Sequence, residues 1–294
     1  MKMILTSKFE QVHSTMVQYL RLVGLALLLS VGIGSVGKAG INQFAIDLEL
    51  NSFRFSALSS LPKGPSPDIS GSPCKYFVVP KLDQKFKSSQ FIQDKGWAIL
   101  SEVRLAQYHF VAFAGSFDPS TSGACIISQS NIAIFEKEQL LGVVYLDDLE
   151  NSLIGNLRLM DAGFIRVFSG DMIQEPVADI QLSLNGFEMK TMSDLTAYCN
   201  GGSILPSIIG TNIIEARNAL FDYGFEPIEA TEPLVISWRQ YLIDYGIREV
   251  DSCSGTGFAF CSFSYENESG FVDLITAGED DFPTVVRSRV KCKS

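Results

Sequence analysis

The chain has 294 residues, with 23 Lys and Arg against 33 Asp and Glu and a net charge of −10 at pH 7. That balance repels phosphate backbones and anionic lipid surfaces, which argues against nucleic acid as a partner. Six cysteines, two histidines and no Cys-x-x-Cys exclude a zinc site of ordinary ligand spacing.

Residues 1–39 read as an export signal. Lys2, Lys8 and Arg21 supply the positive start, and "LVGLALLLSVGIGSV" (22–36) is an apolar run shorter than the about 20 residues of a comfortable membrane span. Gly37 and Ala39 place small residues at −3 and −1 of a cut before Gly40; the alternative is an uncleaved N-terminal anchor. Gly32, Gly34 and Gly37 match G-x-G-x-x-G, but inside an export signal they lack the strand, helix and acidic residue that a dinucleotide site needs. Signal removal takes away Lys2, Lys8, Arg21 and Lys38 with Glu10, so the mature chain is still more acidic. All six cysteines follow the signal, so disulfides in an oxidising, periplasmic or otherwise extracytoplasmic space are expected.

Residues 40–73 hold Pro62, Pro65, Pro67 and Pro73 among Gly and Ser and are predicted as a linker. Residues 74–198 are predicted as a mostly antiparallel β-domain, a sandwich or barrel. Its runs "KYFVV", "GWAILSEV", "YHFVAFAG", "ACIISQ", "NIAIFE", "LLGVVYL", "FIRVFSG" and "ADIQLSL" are short, rich in Val, Ile, Phe and Tyr, and bounded by turn residues. "NIAIFEKEQLLGVVYL" reads as a hairpin turning at Glu136–Gln139, and "LDDLENSLIGNL" offers weak helical spacing.

"CNGGS" (199–203) punctuates a change, and residues 204–294 are predicted as a small α+β module with a repeat. Asn212 and Glu215 form a capping box before a helix that buries Ile213, Ala216 and Leu220 and stops at Gly224; "FEPIEA" leaves as a strand. The second copy, 22 positions on, has Ser237 with Gln240, then Trp238, Tyr241, Leu242 and Tyr245 as its apolar stripe, and a stop at Gly246. Arg, Leu and Asp-Tyr-Gly recur in register between "ARNALFDYGFEPI" and "WRQYLIDYGIREV", a repeated helix–Gly–strand unit.

"LPSIIGTNIIEARNALFDYGFEPI", with Pro206, Gly210, Ala216, Leu220, Gly224 and Phe225, resembles the opening of a PASTA domain, a module associated with penicillin-binding proteins and bacterial Ser/Thr kinases. The resemblance covers residues 204–230 and implies an extracytoplasmic cell-wall or protein-binding module with a helix on a small sheet. The family's later Gln-x-Pro-x-x-Gly segment is replaced here by the second helical copy.

Candidate chemistry concentrates in "DSCSGTGFAFCSF" (251–263). Gly255 and Gly257 are turn residues, Ala259, Cys261, Phe263 and Tyr265 share one face, and Cys253 with Cys261 flank the turn closely enough to bond. Such a staple preorganises a loop, which makes Ser254, Thr256 and Phe258 candidate binding contacts, with Trp238 and Tyr241 as aromatic anchors or core. His109, the only histidine after the signal, is the sole candidate catalytic base, and its place among apolar strand residues favours a structural role. Asp147, Asp148 and Glu150, and Glu279, Asp280 and Asp281, are acidic clusters without EF-hand spacing, and Asn267-Glu-Ser269 is a glycosylation sequon. The sequence thus predicts an exported α+β envelope-binding protein without catalytic activity, metal or cofactor, with a cell-wall component or envelope protein as partner. The alternative is a periplasmic hydrolase with its site between the domains.

Overall fold

The computed structural model describes residues 45–120, 125–148, 153–170, 174–184, 186–230, 237–254, 257–278 and 282–293. The expected export signal at 1–39 lies outside them. Two strands come first, Ala45–Leu48 (β1) and Phe53–Ala57 (β2), then a 3-10 turn at Pro73–Phe77 and a helix at Lys87–Asp94 (α1). Strands follow at Ala98–Leu105 (β3), Tyr108–Ala114 (β4), Ser116–Pro119 (β5), Cys125–Ser128 (β6), Asn131–Glu136 (β7) and Gln139–Leu146 (β8). Next are Asn156–Leu159 (β9), Ile165–Phe168 (β10), Pro176–Ser183 (β11), Gly186–Lys190 (β12), Leu195–Tyr198 (β13) and Ser203–Pro206 (β14). The helices Ile213–Asp222 (α2) and Ser237–Asp244 (α3) flank the short Glu226–Pro227 (β15). Val250–Cys253 (β16), Cys261–Glu266 (β17), Gly270–Ala277 (β18) and Thr284–Cys292 (β19) end the described chain.

Three sheets carry the architecture: a first in the order β1-β12-β11-β10-β9, a second β2-β8-β7-β4-β3, and a third β15-β17-β18-β19 with β16 paired to β17. The fold is β-rich and mostly antiparallel; β1 and β12 run parallel. The first two sheets pack face to face. Phe110, Ile132, Ile134 and Val144 of the second meet Leu157, Ile165, Val167, Ile180 and Phe187 of the first in one apolar cluster. At one edge the Leu157 amide donates to Ser101 Oγ at 2.8 Å, which fixes β9 against β3.

The second sheet is covered on its other face as well. Ile99, Val111, Phe113, Ala133 and Phe135 point away from the sandwich and pack under Leu61 and under Ile92 of α1. The Trp97 indole N–H donates to the Pro62 carbonyl at 3.0 Å, which pins the Pro-rich stretch over this face. Each large side chain covered this way contributes about 1.5–3 kcal/mol. The expected linker at 40–73 therefore divides: β1 and β2 join the two sheets, and the chain from Leu58 onward is irregular but serves as cover.

Other local expectations also differ. "KYFVV" is no strand, because Pro73 fixes φ and Ser72 Oγ accepts the Cys74 amide at 3.1 Å, opening a 3-10 turn. That turn is fastened to β6 by the Cys74–Cys125 disulfide. In "LDDLENSLIGNL", residues 149–152 lie outside the described set and Asn156 and Leu157 begin β9. The hairpin β7–β8 turns at Lys137 and Glu138, both at positive φ.

In the C-terminal sheet the described residues cover one face. Phe263, Tyr265, Val272, Leu274 and Val285 pack beneath Ile213, Ala216 and Leu220 of α2 and Leu242 of α3. Asn212 Oδ1 accepts the Glu215 amide at 3.0 Å, capping α2. Both helices stop in the same way. The Gly224 and Gly246 amides bond to Phe221 and Ile243, and the Phe225 and Ile247 amides reach back to Leu220 and Leu242. Gly224 and Gly246 have φ of 76° and 86°, which is why glycine recurs at this position. In α3 the Gln240 side chain donates to Asp244 Oδ1 at 2.8 Å rather than turning back toward Ser237, and Ser237 is itself the first helical residue. The "CNGGS" punctuation is the turn of the β13–β14 hairpin, and Cys199 there is bonded to Cys292 at the end of β19. Arg217 donates to Glu249 at 2.7 Å and the Tyr265 hydroxyl donates to the same carboxylate at 2.8 Å, so the buried acid is paired twice.

Candidate functional site

All described residues belong to one compact unit. Where the outer face of the first sheet meets β19, they leave a cleft of about 330 Å³. Register explains its lining. Arg158 of β9 stands opposite Arg166 of β10, which stands opposite Asp179 of β11, so all three share the outer face. Arg287 and Arg289 alternate along β19 and face the same space, with Tyr198 at the end of β13 closing one side.

The arginines differ in electrostatics. Arg166 is buried and donates twice to Asp179, at 2.8 and 2.9 Å, and once to Thr196 Oγ1 at 3.0 Å. Burial opposes its charge, but the hydrogen bonds and charge of Asp179 more than offset that, and the guanidinium is held above its ordinary value. Arg158 is half-buried, lies over the Phe168 ring at 4.5 Å, and reaches Gln174 Oε1 at 3.4 Å. Burial, then the like charge of Arg287, pulls it below the ordinary guanidinium value, although Tyr198 opposes this. Among the described residues, no carboxylate lies within ion-pair distance of Arg158, Arg287 or Arg289. Farther along the same strand, Lys291 is paired to Asp273 at 2.7 Å, and Lys293 beyond it is paired to Glu266 at 2.9 Å. Basic residues on an edge strand discourage unwanted strand pairing, which accounts for exposed Arg287 and Arg289 but not for half-buried Arg158 on the opposite wall.

Among the described residues of the lining Asp161 is the one acid, Asp179 lying behind Arg166, and the Asp161 carboxylate already accepts the Cys199 amide at 3.0 Å. Tyr198 stands near the Arg166 guanidinium, and burial raises the phenol pKa. A phenol hydroxyl both donates and accepts, so Tyr198 can offer a proton to an anion. A neighbouring cavity of about 340 Å³ shares Gln174 and Arg287 with the cleft and extends it toward Tyr76, Phe77 and Asn156. Together these groups can hold an anion and orient what is attached to it.

The residues singled out in the sequence lie elsewhere. His109 sits on β4, stacked on Phe86 at 4.2 Å, with Nδ1 unpartnered among the described residues and Arg104, Glu102 and Glu138 as its charged neighbours. Burial first, then Arg104, lowers its pKa. Cys253 and Cys261 are bonded with Cα atoms 4.0 Å apart, directly opposite each other in the β16–β17 pair. The exposed Ser254 donates its amide to Phe260 O at 2.7 Å, and the exposed Phe258 stacks on Phe260 at 5.3 Å. Thr256 and the Trp238 side chain are outside the described residues. Tyr241 is half-buried against Tyr245, which packs on Phe282. Asp147 pairs with Arg54 at 2.6 Å; Glu150 and Glu279–Asp281 are outside the described set. Asn267 Oδ1 accepts the Ser269 and Gly270 amides and the Ser203 hydroxyl, so the sequon asparagine shapes a turn. The cleft arginines were missed because they are spread from 158 to 289; the sequence signal was Arg287-Ser-Arg289, an alternating basic strand in an acidic chain. No family model matches the chain, and neither a curated protein nor a solved structure does.

Proposed function

We propose that this chain is an exported binding protein of the cell envelope that holds an anionic partner in the arginine cleft and does no chemistry on it. One observation carries the reading: three guanidiniums without acid partners among the described residues converge from two walls on one cleft of an otherwise acidic protein. Arginine suits carboxylate and phosphate recognition because its fork donates two parallel hydrogen bonds. The three disulfides fit an oxidising environment, and no helix of the described residues is long and apolar enough to cross a membrane. The apolar run at 22–36 supports export to the periplasm. The resemblance of residues 204–230 to a PASTA opening, and two helices over one face of a small sheet, support a module of the envelope-binding kind. Binding rather than turnover is favoured by the lining itself, where Asp161 is already engaged and Ser288 and Tyr198 are the hydroxyls.

The stapled loop is a second contact surface on this reading, supported by the exposed Phe258 stacked on Phe260. The test is retention of an envelope fraction on immobilised mature protein, compared among wild type, the double variant Arg158→Ala with Arg289→Ala, and Thr256→Arg. Loss in the double variant alone supports the cleft. Unchanged retention there, with loss in Thr256→Arg, would move the site to the loop.

A further inference from the structure

We propose that the group recognised in the cleft is a phosphate monoester, taken as its dianion; this rests on the reading of the cleft as the binding site. The charge count is the first reason. Asp179 neutralises Arg166 and Lys291 takes Asp273, which stands opposite Arg289, so among the described residues of the lining Arg158, Arg287 and Arg289 stand against Asp161 and leave two positive charges in excess. A phosphate monoester carries about −1.5 to −2 at pH 7, whereas a single carboxylate carries −1. Donor geometry is the second. Arg158 approaches from the sheet wall and Arg287 and Arg289 from β19, with Tyr198 at the end of β13 as a further lining donor. Three terminal oxygens set tetrahedrally can accept from all of these directions, whereas a planar carboxylate is best approached in its own plane.

The third reason is the space beyond. The adjoining cavity, entered past Gln174 and Arg287 and bordered by Asn156, has room and polar groups for the esterified remainder of a small ligand. The acidity of the rest of the chain does not oppose this, because field strength at a site is set by the charges lining it and screening removes distant ones beyond roughly 8 Å at physiological salt.

Ionisation of the ligand gives the sharpest test. Among the described residues the charged and titratable groups facing the site are Arg158, Asp161, Arg166 with its partner Asp179, Tyr198, Arg287 and Arg289, with the Asp273–Lys291 pair beside Arg289. Guanidinium, ammonium, phenol and carboxyl side chains ordinarily titrate outside pH 5 to 7.5, whereas a phosphate monoester loses its second proton near pH 6. Calorimetric titration of the mature protein with glycerol 1-phosphate, inorganic phosphate, sulfate and succinate reads the answer. Glycerol 1-phosphate affinity should rise about tenfold from pH 5 to 7.5, following the dianion fraction. Sulfate, a fixed dianion, should bind with little change over that range. Arg158→Gln and Arg289→Gln should each weaken glycerol 1-phosphate at least tenfold, while Lys293→Gln, at a lysine already paired to Glu266, should leave it unchanged. Tighter binding of inorganic phosphate than of the ester would overturn the ester assignment. Preference for succinate, or an affinity flat with pH, would overturn the phosphate assignment and leave an anion cleft standing. Binding that survives both arginine variants would show an adventitious ion only. If no probe binds and the variants retain the envelope fraction like wild type, the cleft reading falls with it.

Discussion

Strands β4 and β18 are of similar length and composition, yet they are buried in different ways. From Phe110 to Ala114 every residue of β4 is buried, whereas β18 alternates, with Gly270, Val272, Leu274 and Thr276 buried and Phe271, Asp273 and Ile275 half-exposed. The difference lies in what covers each sheet. β4 has the first sheet on one side and α1 with the Pro-rich stretch on the other, while among the described residues β18 has α2 and α3 on one side. An unbroken apolar run is thus a demand for two covers, and the second cover need not itself look structured.

The largest expected effect tests that contrast. Phe113→Ala, under the second cover and edge-on to Trp97 at 5.2 Å, should cost about 3–5 kcal/mol in denaturant unfolding. Ile275→Ala, on the open face of the C-terminal sheet, should cost about 1 kcal/mol or less. Equal costs would mean that the outer cover of the sandwich contributes little.

The staples sharpen the same comparison. Cys74–Cys125 closes a loop with a sequence separation of 51 and ties the cover to the sandwich, whereas Cys253–Cys261 closes one of 8 within the C-terminal sheet. In the chain-entropy picture, paired Cys→Ala replacement should cost about 4 kcal/mol for the first and about 2.5 kcal/mol for the second. Thermal unfolding of the two double variants checks the order. A smaller effect is expected from Asn212→Ala, about 1 kcal/mol, because it removes the cap of α2. The α1 start at Phe86 has no side-chain cap to lose.

The smallest effect is the pH dependence from His109. Its folded pKa lies below the ordinary 6.5, so the fold favours the neutral ring. That contribution is fully present above about pH 6.5 and is lost as pH falls toward the folded value. His109→Gln should therefore flatten the acid side of the stability profile below about pH 6.5. An unchanged slope would point to other groups.

These elements also show what the sequence made legible. The helices α2 and α3 and their glycine stops were readable because each signal is local: a cap, an apolar stripe, a residue at positive φ. The strands β3, β4, β7 and β8 were readable from composition. Helix α1 was hidden, because it starts without a cap and turns Ser88 and Ser89 toward the sheet, where Ser89 Oγ donates to Glu102. β1 and β2 were hidden by the prolines that follow them. The cleft was least legible, since net charge pointed away from anions while long-range pairing gathered Arg158 and Arg289 into one place.

The central claim is that this cleft, rather than the stapled loop or His109, is where the partner sits. Nitrogen-15 spectra of the arginine Nε–H groups and the backbone, recorded while glycerol 1-phosphate is added to the mature protein, test it most directly. The expected result is movement of the Arg158 and Arg289 Nε–H signals and of the Tyr198 amide, with Ser254, Phe258 and His109 unmoved. Shifts centred on residues 253–261, or no shift at either arginine, would contradict it.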